Sequence, residues 1–219
     1  MINKKKTSIL IIYLVAFFGL WTVFEFIGKD FIDSFIENNA ANQFVKSGIT
    51  KNLVWTLPAI MLVKYFKDDV YVSLKDMFNI KVNWLKYIPV FIAFTVYIAV
   101  SELLQNGRIA VNDDFGAESI IIVLFVGLTE EMVFRGWLLN ITVCEDKKWL
   151  YILFNALLFL AIHFPRWICD GMFISAFTSL GFISVLILSV IFSLIFIKSR
   201  NILVPITLHM YWDLLMFMI

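Results

Sequence analysis

The sequence predicts an all-α fold, a polytopic transmembrane helix bundle with about seven spans, six to eight being the range its apolar runs allow. Three observations predict it. Hydrophobic residues make up 61% of the chain and charged residues 16%, whereas globular chains run roughly 45–50% and about 25%. The mean hydropathy is +0.88. The apolar residues also gather in runs close to the ~20 residues that a helix needs to cross a bilayer. Those runs lie near 7–27, 52–66, 84–104, 117–140, 149–165, 174–197 and 202–218.

The first run follows Lys4, Lys5 and Lys6 but precedes no small-residue cleavage site, so it reads as an uncleaved span. The second is short and contains Pro58, which suits a tilted or partly buried helix. The sixth breaks near Gly181 into a short and a long piece. The polar stretch 28–51 and the lysine-rich stretch 64–86 read as solvated or interfacial segments without a binding motif. No repeat or linker divides the chain, so residues 1–219 form one membrane domain. Ser175/Ser179 and Ser189/Ser193 have small-xxx-small spacing, and Gly127 and Gly136 flank a pair of glutamates; both features suit close helix packing. Most Trp and Tyr residues fall near span ends, as an aromatic belt would.

Basic residues set the expected orientation. With the N-terminus inside, cytoplasmic segments hold 12 of the 18 Lys and Arg residues, including Lys4–Lys6, Lys147, Lys148, Lys198 and Arg200. The outer segments hold 5, namely Lys29, Lys46, Lys51, Arg108 and Arg166. This excess predicts a multi-pass protein of the cell membrane with a cytoplasmic N-terminus. It places Cys144 inside and Cys169 outside, so the two are not expected to pair. The net charge of +1 points to no nucleic-acid partner. Membrane lipid is the expected surroundings.

Ionisable residues inside spans carry the functional signal, because each costs ~2.5–3.5 kcal/mol at the helix centre. Glu25 and Glu102 lie close to outer span ends and read as interfacial. Glu130, Glu131 and Arg135 lie in the middle of the fourth run. Glu131 and Arg135, spaced i, i+4, share a helix face and can pair. Glu130 projects ~100° away and needs another partner. The chain has only two histidines, His163 and His209, and both fall inside predicted spans. Asp213 follows His209 at i+4. Counted at 1.5 Å per residue from the lysine-rich end, Glu130 lies ~15 Å deep, His209 ~14 Å and His163 ~22 Å. These depths allow convergence near the midplane and imply access from the inside.

In chain order these residues spell Glu130-Glu131-Met-Val-Phe-Arg135, Phe159-Leu-Ala-Ile-His163 and His209-Met-Tyr-Trp-Asp213. The pattern resembles the CPBP family of CAAX proteases and bacteriocin-processing enzymes, also called Abi, which includes the type II CAAX prenyl endopeptidase. The resemblance covers a motif core at 117–218 and implies peptide-bond hydrolysis within the membrane. The family's third motif is most often quoted with Asn where this chain has Asp213. An ionised Asp accepts hydrogen bonds but donates none, so Asp213 must stay protonated, orient His209 or contact a metal.

The residues support a water-based hydrolysis with Glu130 as base, His163 holding the water, and His209 with Asp213 stabilising the oxyanion. Glu131 and Arg135 then fix the helix face that presents Glu130. Two arrangements stay open. Glu130, His163 and His209 can hold Zn²⁺ with one free position, or they can hold the water directly. The expected substrate is a membrane-associated peptide, with a bacterial role in bacteriocin self-immunity or peptide processing favoured over a prenylated protein. A non-catalytic immunity or regulatory protein, and a transporter or proton relay, are the competing classes.

Overall fold

The computed structural model describes residues 4–219, and among these the secondary structure is helical. We number the helices α1 (Lys4–Asp33), α2 (39–65), α3 (Trp84–Asn106), α4 (117–142), α5 (Glu145–Cys169), α6 (Phe173–Thr178), α7 (Gly181–Ser199) and α8 (Leu203–Met218). Four of them, α1, α3, α5 and α7, are long and apolar enough to cross a membrane, and α8 is a shorter apolar helix. The chain is a multi-pass membrane protein. The break expected near Gly181 lies between α6 and α7.

Two stretches read as solvated or interfacial are largely exposed, but each buries a few residues. Residues 39–51 continue into α2, and Asn42, Lys46, Ser47 and Lys51 are buried. The hydrogen bond from Asn42 to Asp33 folds the start of α2 back against the end of α1. In the lysine-rich stretch, Val72 and Met77 are buried, and side chains from distant helices satisfy the backbone there. Asn140 accepts from the Val72 amide at 2.7 Å and donates to its carbonyl at 2.9 Å. Asn201 donates to the Ile80 carbonyl at 2.8 Å. A buried backbone group without such a partner costs free energy comparable to a lost hydrogen bond, so these two asparagines hold an irregular segment inside the fold. Glu25, read as interfacial, is also buried and paired with Lys29.

The core centres on α4. Its middle turns, Met132–Leu139, form a π-helical stretch in which every residue is buried. Such wide turns offer carbonyls to other partners and recur at functional sites; here Asn155 of α5 donates to the Phe134 carbonyl at 2.8 Å. Three tryptophans belong to this core and not to an interfacial belt: Trp21, Trp55 and Trp137 are at most 4% exposed. Trp21 packs edge-on against Trp55 at 4.6 Å.

Gly127 brings α4 against α8. A Cβ there would stand 2.7 Å from Met210 Cγ and 3.2 Å from the Met210 amide nitrogen, so only glycine permits this approach. Gly136 has no such role, since an added Cβ would meet its own helix at Met132 and Glu131. Ser189 and Ser193 are fully buried on α7, whereas Ser175 and Ser179 bond to their own helix and stay exposed. The α7–α8 turn is tight. Arg200 takes a left-handed backbone (φ 53°), and Asn201 accepts from the Leu203 amide at 2.8 Å. That turn lays α8 back along α7 and sets His209 against Phe192.

Candidate active site

The six predicted site residues fall into two layers. The inner layer is closed. Arg135 and Glu131 are fully buried, and Arg135 Nη1 donates to Glu131 Oε1 at 2.9 Å. Arg135 Nη2 also donates to the Ser189 hydroxyl at 2.8 Å and to its carbonyl at 2.9 Å. The guanidinium lies 4.7 Å from the Phe159 ring centre, a cation–π contact. Glu131 Oε1 also accepts from His209 Nδ1 at 2.8 Å. Glu131 is therefore more than a partner for Arg135, because it fixes which nitrogen of His209 faces outward.

The outer layer lines a cavity of about 170 Å³ that contains Glu130, His163, His209 and Asp213. His209 Nε2 stands 3.9 Å from Glu130 Oε2 and 3.6 Å from Asp213 Oδ2. The His209 ring stacks on Phe192 at 5.1 Å and meets Phe159 edge-on at 6.0 Å. His163 Nδ1 donates to the Phe159 carbonyl at 2.8 Å, one turn back on the same helix. In the neutral ring this leaves Nε2 as an acceptor. Phe159 thus supports both imidazoles and Arg135 together.

Among the further lining residues, three carry polar groups. Lys51 of α2 reaches Glu130 Oε1 at 4.0 Å, with its ammonium over the rings of Trp21 and Trp55 at 4.7 and 5.0 Å. Trp21 lines the cavity and donates from Nε1 to the Ile162 carbonyl at 2.8 Å, at the break in α5 just before His163. Arg166 closes a wall. Lys51 was assigned to an outer solvated stretch; it is buried because α2 starts earlier than the apolar run. Its i, i+4 spacing to Trp55 is the signal that would have found it.

The depths also misjudged the mouth. From Glu130 and His209 the cavity extends past Val126 and Ile122 on α4 and past Asp213 and Phe217 on α8. That is away from the lysine-rich end. Counting from one end fixes how deep a residue lies but not which side of it is hollow.

Among the described residues, no three His, Cys, Asp or Glu side chains form a group able to hold a metal ion. His209 commits Nδ1 to Glu131, and its Nε2 is well over the ~2 Å separation scale of metal bonds from each neighbouring carboxylate. The donor set as arranged does not fit zinc.

Residues 114–215 match the family model described as "Type II CAAX prenyl endopeptidase Rce1-like". The match spans all three motifs and agrees with the resemblance read from them. No curated protein and no solved structure matches the chain.

Proposed function

Residues 114–215 belong to the Rce1-like family of type II CAAX prenyl endopeptidases, and from that premise we propose that this chain cleaves a peptide bond in a membrane-associated peptide by carboxylate-activated water. The observation that carries the reading is the shared cavity. A base, two imidazoles and a second carboxylate face about 170 Å³ of space, enough for several waters on the scale of ~30 Å³ each.

The roles follow from which atoms remain free. Glu130 accepts a proton from water, whose oxygen attacks the scissile carbonyl carbon. His163 Nε2, left as an acceptor by the Nδ1 bond to Phe159, takes the water's second hydrogen bond and aims its lone pair. The carbonyl π electrons move to oxygen. The protonated form of His209 offers Nε2–H to that oxyanion, with Glu131 on the opposite nitrogen holding the ring. Collapse of the tetrahedral species breaks the C–N bond, and Glu130 returns its proton to the leaving amine. Asp213, at 3.6 Å from His209 Nε2, balances the charged imidazole and does not need to donate to substrate. That is a sufficient role for an Asp where the family usually carries Asn.

The substrate class is a membrane peptide, with bacteriocin self-immunity or peptide processing as the biological setting. Glu130→Gln and His163→Ala, each in proteoliposomes with an acylated fluorogenic peptide pool, are expected to lower cleavage by about 100-fold or more while thermal unfolding stays within a few degrees of the parent. Full cleavage by Glu130→Gln would end the proposal and leave a membrane binding protein as the reading.

A further inference from the structure

The active-site cavity continues beyond its catalytic groups. A second hollow of about 120 Å³ adjoins it. The two share Trp21, Lys51, Ile122, Val126 and Arg166 as common lining. The charges around the second hollow are one-sided. Lys29, Lys46, Lys51 and Arg166 line it, with Glu25 as the one carboxylate.

Two of the four cations are compensated, Lys29 by Glu25 and Lys46 by Asp33. The other two have ion-pair contacts at 3.4 Å or more and keep donors to spare. Lys51 is 7% exposed, yet its carboxylate contact is the 4.0 Å approach to Glu130. Its ammonium makes no hydrogen bond among the described residues and rests on two indole faces. Arg166 meets Asp170 through Nε at 3.4 Å, and its terminal nitrogens make no hydrogen bond among the described residues.

A buried ammonium is costly unless paired and hydrogen-bonded. An ammonium and a guanidinium fork facing one small space suit a carboxylate, which the fork meets with two parallel bonds. The hollow opens onto the space before Glu130, so an anion held there sits on the path of the reacting chain. Its size admits a chain end or one side chain.

We propose that this vestibule, through Lys51 and Arg166, binds a carboxylate of the peptide substrate and so sets the distance from that carboxylate to the bond cleaved. The proposal rests on the peptidase reading for its substrate and extends it to a recognition element, one of whose residues, Lys51, lies outside the matched family region.

The test uses the full chain in vesicles and one pool of N-acylated peptides with randomised last four residues. The pool is made once as free acids and once as C-terminal amides. Capture on ice, read by mass spectrometry, scores binding without hydrolysis, and warming scores cleavage. The intact protein is expected to capture acids about tenfold or more over amides. Arg166→Gln, at a half-exposed position that leaves the fold intact, is expected to bring the ratio near unity, and Lys51→Met to do the same. If amides carrying Asp or Glu near the end are captured as well as acids, the carboxylate comes from a side chain and the proposal stands. Equal capture of acids and amides without regard to Asp or Glu, capture of neither pool, or a preference unchanged in both variants overturns it. A preference seen in neutral vesicles but erased by phosphatidylglycerol makes a lipid phosphate the bound anion and also overturns it. Capture with the expected preference but no cleavage on warming sinks the peptidase reading and leaves the vestibule in place.

Discussion

The two halves of the chain face different surroundings. In the N-terminal half, the most apolar windows of α1 and α3 are 17% and 11% buried. In the C-terminal half, those of α5 and α7 are 39% and 33% buried. The C-terminal helices pack around ionisable groups, while α1 and α3 leave most of their surface exposed. The family match follows the same division, covering residues 114–215. Yet the active-site cavity is not closed by the matched half alone, because Trp21 and Lys51 form one of its walls. The motif-bearing core can therefore match a family while one wall of its cavity comes from helices outside the matched region.

The largest effect is expected where the matched half is most committed. Arg135→Met leaves Glu131 charged and buried without its cation, a change that costs about 3–5 kcal/mol for broken buried pairs. The variant is expected to unfold in detergent far below the parent temperature, and Glu131→Gln/Arg135→Met to recover part of the loss. A thermal shift as small for Arg135→Met as for a surface lysine variant would mean that the inner layer is not structural.

A smaller effect is expected across the boundary between the halves. Trp21→Phe keeps the aromatic packing but removes the indole donor to the Ile162 carbonyl, which keeps its intrahelical bond, at about 0.5–1.5 kcal/mol for one hydrogen bond. Because Ile162 precedes His163, cleavage is expected to fall more than stability does, with kcat lowered and KM little changed. An unchanged kcat would separate the N-terminal wall from the chemistry.

The smallest perturbation tests the sides. Cys144 and Cys169 are both free and exposed, and they flank α5 at opposite ends. With a cytoplasmic N-terminus, an impermeant maleimide added to intact cells is expected to label Cys169 and spare Cys144. The cavity then opens outward. The reverse pattern inverts the bundle and turns the cavity to the cytoplasm.

The gathering of the candidate site residues could be read from the sequence, for a chemical reason. Charge inside a span is expensive, so the few residues that incur the cost stand out, and two histidines leave few pairings. The Glu131–Arg135 contact was legible because i, i+4 spacing is local geometry. The Glu131–His209 bond was not, because depth along a helix says nothing about rotation around it. Lys51 was missed because hydropathy begins a helix at its apolar run, whereas α2 begins 13 residues before Asn52 and hides polar side chains against α1 and α4. The buried residues of the 64–86 stretch, Phe66, Val72 and Met77, were not legible because the backbone around them is held by Asn140 and Asn201, whose partners lie 68 and 121 residues away. The four spans that length and composition support were the most legible part, since bilayer thickness fixes helix length whatever the packing.

The inner layer also dictates an order of synthesis. α4 carries Glu130, Glu131 and Arg135, but the Ser189 and His209 partners follow 54 and 78 residues behind their contacts. Until α7 and α8 are made, these charges have only one another and Lys51 of α2, which approaches Glu130 at 4.0 Å. The bonds from Arg135 to Ser189 and from His209 to Glu131 can form only after α7 and α8 exist, so the inner layer is among the last parts of the bundle to be completed.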